Sequence, residues 1–299
     1  LKARERVLSA VNHTVTDKVP RGEIVIDDAV VRDFFSCDEV DFERRYEFIR
    51  CLGLDIICLP LRLSMNAADH SLPHPDDVEW EDIDRWVSQT DLFVFIMLEG
   101  CHAWGSRLFG FERFFLTVGR EGLDLDDLIQ SVERFNLELA GRAVASGAMG
   151  ALIADDIASN KGLMFHPRTL RTHFFPSLQR LAAGISAMKV PVFFHSDGNL
   201  NEVLDDIMST GFDGLQGIES AAGMDIGQIK RQYGTQLCLW GNLDPRYLVM
   251  PYPEEKLIEQ VDLISGSGAS GGGFILGTSS GLFEGVRPEN LRAIYGAKG

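Results

Sequence analysis

The chain has 299 residues, 45% of them hydrophobic and 24% charged, which supplies ample core material and excludes a disordered polypeptide. A formal net charge of -16 excludes a nucleic-acid partner, because binding the phosphate backbone needs a basic face and no Lys/Arg cluster offers one. No apolar run approaches the ~18 residues that span a bilayer, and the polar opening Leu1-Lys2-Ala3-Arg4-Glu5-Arg6 is unlike a signal peptide, so no membrane contact and a cytoplasmic location are expected.

From the N-terminus, Lys2 to His13 places Val7, Leu8 and Val11 at helical spacing, and Asp17-Lys18-Val19-Pro20 breaks the helix. Glu23-Ile24-Val25-Ile26 reads as a first strand ending at Asp27-Asp28. Asp41 to Leu52 reads as an amphipathic helix stopped by Gly53. Asp55 to Leu61 is a second apolar strand with Pro60 near its end, and Arg62 follows directly. Residues 64–87, rich in Asp, Glu, His and Pro, form an excursion from the repeating pattern. The third strand, Phe93 to Leu98, is closed by Glu99-Gly100-Cys101-His102. Helices are expected over Glu112 to Val118 and over Asp124 to Ser146, the second with Asp124 as its cap.

Gly150 to Ala154 is the fourth strand and ends at Asp155-Asp156. A loop with Asn160-Lys161-Gly162 follows, then a helix opened by His166-Pro167 and running towards Met188. The fifth strand, Val190-Pro191-Val192-Phe193-Phe194, switches abruptly to His195-Ser196-Asp197-Gly198-Asn199, the pattern of a buried parallel strand whose carboxyl end delivers side chains to a site. Next come a helix from Leu200 to Thr210, a sixth strand from Phe212 to Ile218 ending at Glu219, and a helix from Met224 to Tyr233 stopped by Gly234. Gln236 to Trp240 is the seventh strand, ending in Gly241-Asn242-Leu243-Asp244. A helix from Glu254 to Ile264, a turn from Ser265 to Gly272 and an eighth strand, Gly273 to Leu276, precede Gly277-Thr278-Ser279-Ser280-Gly281, and Pro288 opens a last helix.

Strands alternating with helices pair in parallel through crossovers, so the expected fold is α/β: a single eight-stranded parallel (β/α)8 TIM barrel spanning residues 1–299. Such barrels build their sites at the carboxyl ends of the strands. That rule gathers Asp27, Arg62, Glu99, His102, Asp155, Asp156, His195, Asp197, Glu219, Asn242, Asp244, Ser279 and Ser280 as candidates. Asp and Asn at strand ends also cap the helices that follow, which gives roughly half of them a structural explanation. The five cysteines, Cys37, Cys51, Cys58, Cys101 and Cys238, are widely spaced and form no Cys-x-x-Cys pair. They read as free thiols, small and buried, with no thiolate zinc site.

Carboxylates and an imidazole at one barrel mouth suit a divalent metal or general acid–base work. His195 and Asp197, two apart at a strand end, with Glu219 from the adjacent strand, make a zinc set that leaves a position open for substrate. A plain hydrogen bond from His195 to Asp197 or Glu219 fits the same residues. Asp155 and Asp156 face opposite sides of a continued strand, so only one faces the pocket. Crowded carboxylates raise one another's pKa, which keeps an acid protonated for a leaving group. The Gly-rich turn at 267–273 precedes a strand instead of opening a helix, so it lacks the geometry of a phosphate cradle.

Taken in order, Ala154-Asp155-Asp156-Ile157 through Lys161-Gly162 and Pro167, Phe194-His195-Ser196-Asp197-Gly198, Gly241-Asn242-Leu243-Asp244-Pro245, and Gly272-Gly273-Phe274-Ile275-Leu276-Gly277 with Pro288-Glu289-Asn290 resemble the uroporphyrinogen decarboxylase superfamily across essentially the whole chain. The resemblance implies the same α/β barrel and one of two activities. For decarboxylation the family uses an arginine-rich segment after the first strand and a His in the last strand loop; here Arg21-Gly22-Glu23 precedes that strand, and Thr278 stands where the His would fall. An acidic mouth is also poorly suited to a polyanionic porphyrinogen.

The other branch moves a methyl group between a small substrate and the cobalt of a corrinoid (cobalamin-type) cofactor carried by a partner protein. Members acting on coenzyme M carry His-x-Cys at the fifth strand and a Cys after the eighth, binding zinc; the corresponding positions here are His195, Asp197 and Ser280. Loss of both thiolates makes any metal site harder and richer in oxygen. The resemblance therefore implies an O-demethylase type, with a methoxylated aromatic ether as methyl donor. It implies His195, Asp197 and Glu219 around a zinc ion or the departing oxygen, with Asp155, Glu99 and His102 as alternative acids. Arg62, Trp104, Asp156, Asn242, Ser279, Ser280 and Phe283 would line the substrate slot, with Phe194 in the core. A barrel that only binds a small molecule or a tetrapyrrole is the non-enzymatic alternative.

Overall fold

The computed structural model describes residues 1–63, 71–118 and 125–296. Asp124 and the first part of the 64–87 excursion lie outside the described residues. Among the described residues seven strands of four residues or more alternate with helices: β1 (Ile56–Leu59), β2 (Phe93–Glu99), β3 (Gly150–Ala154), β4 (Val192–Ser196), β5 (Gly214–Gly217), β6 (Cys238–Leu243) and β7 (Phe274–Thr278). Each falls on an apolar run read from the sequence, and each is buried along nearly its whole length, as strands covered on both faces are. The chain divides into two compact units, Leu1–Cys58 with Arg85–Val94 and Gly214–Gly299, and Leu59–Asp84 with Phe95–Asp213.

In the first unit β5, β6 and β7 pair in parallel, with Cys238 opposite Gly214 and Leu239 opposite Phe274. The first of the eight strands expected of the barrel, Glu23 to Ile26, is no regular strand here. Its backbone pairs with the β7 region through isolated parallel bridges, Arg21 with Leu276 and Ile26 with Leu282. Side chains have taken over its ladder. Leu276 N–H donates to Pro20 C=O and Gly22 N–H to Leu276 C=O, but the next donor, Thr278 N–H, goes to the Glu23 carboxylate at 3.1 Å. The Gly22 carbonyl accepts from the Trp240 indole at 2.9 Å, and the Thr278 carbonyl accepts from the Gln216 amide at 3.0 Å. On its other side the segment meets the approach to β1, where Asp55 N–H donates to Arg21 C=O at 2.7 Å.

Two helices of this unit differ from expectation. Asp27 caps a helix over Asp28–Phe35, its Oδ1 accepting from Ala29 N–H at 2.7 Å. The helix Glu254–Gly268 runs one turn beyond Ile264, through residues expected to be a turn; Ser267 Oγ donates back to Leu263 C=O, and Gly268 is buried. Asp41 caps the helix Phe42–Cys51 through Arg44 N–H.

In the second unit β2, β3 and β4 pair in parallel, with Phe95 opposite Gly150 and Ala154 opposite His195. The helix expected from His166 is interrupted: a five-residue π turn, Leu170–Phe174, lies before the helix Phe175–Ser186. Pro176 explains it, because it has no N–H and its ring crowds the preceding turn, so Phe175 N–H reaches back to Leu170 C=O instead. The helix Leu125–Ala145 packs an apolar face that includes Ile129, Val132, Phe135 and Leu139. All five cysteines are free; Cys58, Cys101 and Cys238 are buried, whereas Cys51 is exposed, against the expectation of burial. Among the described residues no helix is long and apolar enough to cross a membrane.

Candidate functional site

The second unit gathers the imidazole and two carboxylates at the ends of β3 and β4. Because Ala154 pairs with His195, the residues that follow each strand, Asp156 and Asp197, leave the sheet side by side. Ser196 ties these two segments together. Its buried hydroxyl accepts from Ile157 N–H at 3.1 Å and donates to Asp197 C=O at 2.8 Å. Asp197 N–H in turn donates to Asp156 Oδ1 at 2.8 Å. Gly198 lets the loop close: it has φ +87°, and a Cβ there would lie 2.5 Å from the backbone of Ala158 and Ser159.

The result is one cluster, in which ligand atoms of Asp156, His195 and Asp197 all lie within 4.8 Å of one another. His195 Nε2 stands 3.6 Å from Asp156 Oδ1. His195 is 6% exposed, Asp197 is half-buried, and the Asp156 side chain is half exposed. This is one imidazole nitrogen and two carboxylates with an open side, a donor set that fits a divalent cation of intermediate to hard character. The carboxylate beside His195 and Asp197 is Asp156, whereas Glu219 belongs to the other unit.

Asp155 turns the opposite way. It is fully buried, and its Oδ1 accepts from Ala103 N–H at 3.0 Å at the start of the helix Cys101–Phe109. Gly100 makes room for it, since a Cβ there would fall 2.2 Å from the Asp155 carboxyl carbon. Burial pushes the Asp155 carboxyl up to about 7, against the backbone N–H donated by Ala103, and the charge of Asp156 adds to the rise. His102, in the same helix, hydrogen-bonds the Asp156 backbone. Burial lowers its pKa, which the neighbouring Asp156 partly offsets. Its ring sits among Phe111, Phe114, Phe115 and Phe165, with centroids 5.3 to 6.1 Å away.

The other expected residues of this unit are placed elsewhere. Glu99 is ion-paired with Arg107. Arg62 lies on a short antiparallel pair, Arg62–Leu63 with Val78–Glu79, and forms an ion pair with Glu81 at 2.7 Å. Trp104 lines no slot: it is wholly buried, edge-on to Phe135 at 5.5 Å. Phe194 is also core and stacks on Phe212 at 5.4 Å.

In the first unit, Asn242 donates from Nδ2 to Ile218 C=O at 2.9 Å, and Asp244 is held by the Arg246 guanidinium and by Arg246 N–H. Ser279 is buried and hydrogen-bonds Leu243 C=O through its backbone, Ser280 is half-buried, and Phe283 is 40% exposed. A polar cluster here went unread in the sequence: buried Glu23 accepts from Thr278 Oγ1 and from the Tyr295 hydroxyl. Its signal was a carboxylate opening an otherwise apolar run.

The family model described as Uroporphyrinogen decarboxylase (URO-D) matches residues 101–297, well over half of the chain. The chain belongs to the uroporphyrinogen decarboxylase family. Methylcobamide:CoM methyltransferase MtaA of Methanosarcina barkeri is 28% identical over 159 residues, covering 53% of this chain and 44% of that protein. Uroporphyrinogen decarboxylase of Pelobacter propionicus is 26% identical over 165 residues, covering 55% of this chain and 46% of that protein. The chain thus spans about half the length of the curated relatives it matches. A solved structure described as a methyltransferase from Methanosarcina mazei covers 99% of this chain and 98% of its own, with a TM-score of 0.79 at 20% identity, and shows the shared fold.

Proposed function

We propose that this member of the uroporphyrinogen decarboxylase family is a methyltransferase of the corrinoid-dependent branch. It would move a methyl group from a small methylated substrate, a methoxylated aromatic ether, to the cobalt of a corrinoid carried by a partner protein. The observation that carries the reading is the cluster of Asp156, His195 and Asp197, in which His195 and Asp197 occupy the positions where the resemblance puts the His-x-Cys of thiol-activating relatives. The likeness to methyltransferases in sequence and in fold supports the same branch.

The two carboxylates supply the negative charge that a divalent ion needs, and His195 supplies a neutral nitrogen. Zinc bound there would act as a Lewis acid on the oxygen that departs when the methyl group leaves. The alternative acids suit that role less well. Glu99 is committed to Arg107, and the Asp155 carboxyl is committed to the N-terminus of the helix Cys101–Phe109.

Decarboxylation is the second reading, supported by relatives that bear that name. Against it stands Thr278, whose hydroxyl and N–H are both bound to buried Glu23, in the place where the family's His is expected. The test is single-turnover methyl transfer from guaiacol and related ethers to a reduced corrinoid protein. Transfer from at least one ether, abolished in His195→Ala, is the expected result. No transfer across an ether and amine panel, with turnover of a porphyrinogen instead, would overturn the reading.

A further inference from the structure

In the second unit a row of aromatic rings, Phe111 and Phe115 on the helix Phe111–Val118 with Phe165 beside them, lies next to the cluster of Asp156, His195 and Asp197. We infer that Phe111 and Phe115 are specificity-determining residues that hold the aromatic ring of the substrate and select an arene over a saturated ether of the same size. The inference deepens the proposed function and rests on it for the group that arrives at the cluster.

Phe114 docks the helix. It is fully buried, and a Cβ on Gly105 would fall 2.3 Å from its Cε2, so its ring drives into the helix Cys101–Phe109. Phe111 and Phe115, one turn apart on another edge, are not used up in that contact. Phe115 is half-buried and stacks on buried Phe165, with centroids 4.8 Å apart and planes at 22°. Phe111 leans on Phe115 at 4.8 Å and 52°, and 59% of its surface is exposed. A singly exposed Phe is ordinary, but this one is the open end of a packed row of three rings. The charged residues beside it, Glu112 and Arg113, are exposed and do not interrupt the row.

One ring separates the row from the donor cluster. His102 lies 6.1 Å from Phe111 and 5.3 Å from Phe115 between centroids, and it hydrogen-bonds the backbone of Asp156. The Asp156 carboxylate, half exposed, stands 3.6 Å from His195 Nε2. A substrate ring resting on Phe111 or Phe115 at the roughly 4.5–7 Å usual for aromatic pairs therefore carries its ether oxygen towards the cluster. A saturated ring of the same size would bury as much apolar surface but lacks the face and edge attraction between rings, a difference of about three- to tenfold in affinity.

The probe is guaiacol, with 2-methoxycyclohexanol as its saturated counterpart, titrated calorimetrically into the full chain. Guaiacol is expected to bind about three- to tenfold more tightly than the saturated ether. Phe111→Leu, at an exposed position, and Phe115→Leu keep apolar bulk and remove the ring. Each is expected to weaken guaiacol by about three- to tenfold, to leave the saturated ether unchanged, and to raise the KM for guaiacol in methyl transfer by the same factor. Leu8→Ala, an exposed apolar position in the other unit, is expected to change neither. Equal binding of the two ethers, no saturable binding at millimolar guaiacol, or guaiacol binding unmoved in both Phe variants while affinity for the corrinoid protein falls would overturn the inference. Methyl transfer from guaiacol with KM unmoved in both variants would refute the ring site and leave the proposed function intact, whereas the expected binding ratios without any transfer would do the reverse.

Discussion

Glu23→Gln tests how the first unit is held together. Glu23 is 1% exposed, and burial is the largest influence on its carboxyl, pushing it up to about 7 from an ordinary value of 4.5, against the hydrogen bonds from Thr278 and Tyr295. Between those two values the folded state holds a proton that the unfolded chain has released. Its stability is therefore fully present below about pH 4.5 and is lost as pH rises through about 7. At about 1.4 kcal/mol per pH unit, Glu23 accounts for about 3 kcal/mol of that loss. Gln keeps the shape and an acceptor for Thr278 N–H but carries no titratable proton. Urea unfolding followed by circular dichroism from pH 4.5 to 8 should show a fall that is smaller in Glu23→Gln by about 3 kcal/mol, with the variant the more stable protein at pH 8. A residual fall is expected in the variant, since Asp155 is raised to about 7 by the same cause and titrates with the same sign. Parallel curves for the two proteins would refute the buried, protonated Glu23.

Gly198→Ala places a Cβ 2.5 Å from the backbone of Ala158 and Ser159 at φ +87°, and should cost about 1–3 kcal/mol in unfolding while reducing metal affinity, because Asp197 is the adjacent residue. Ser196→Ala leaves Ile157 N–H buried without its partner, and a loss of about 1–3 kcal/mol is expected by denaturant titration. An unchanged midpoint in Ser196→Ala would show that this hydroxyl does not tie the ends of β3 and β4 together.

Seven strands were legible because each is an apolar run buried on both faces, a pattern that does not depend on its neighbours. The expected first strand, Glu23 to Ile26, failed for a reason that local pattern does not carry: Glu23, Trp240 and Gln216 spend side-chain bonds on the backbone groups that a ladder would use. The last turn of the helix Glu254–Gly268 was hidden by its Gly and Ser content, which argues for a turn until tertiary packing is known. Asp27 and Asp155 looked like site acids because a cap and a catalytic carboxylate look alike at a strand end. His195 and Asp197 could be paired from their spacing, but the choice of Asp156 as their neighbour depends on the register of β3 against β4, which places Ala154 opposite His195. Trp104 was misplaced because the helix Cys101–Phe109, which turns it inward, carries no strong signal of its own.

The most direct measurement is the rate of methyl transfer from guaiacol to a reduced corrinoid protein as zinc is titrated back into chelator-treated chain. The account predicts a rate that climbs with zinc and levels off at one equivalent per chain, with neither tight zinc nor transfer in His195→Ala. A rate indifferent to metal, or zinc retained undiminished when His195 is removed, would contradict it.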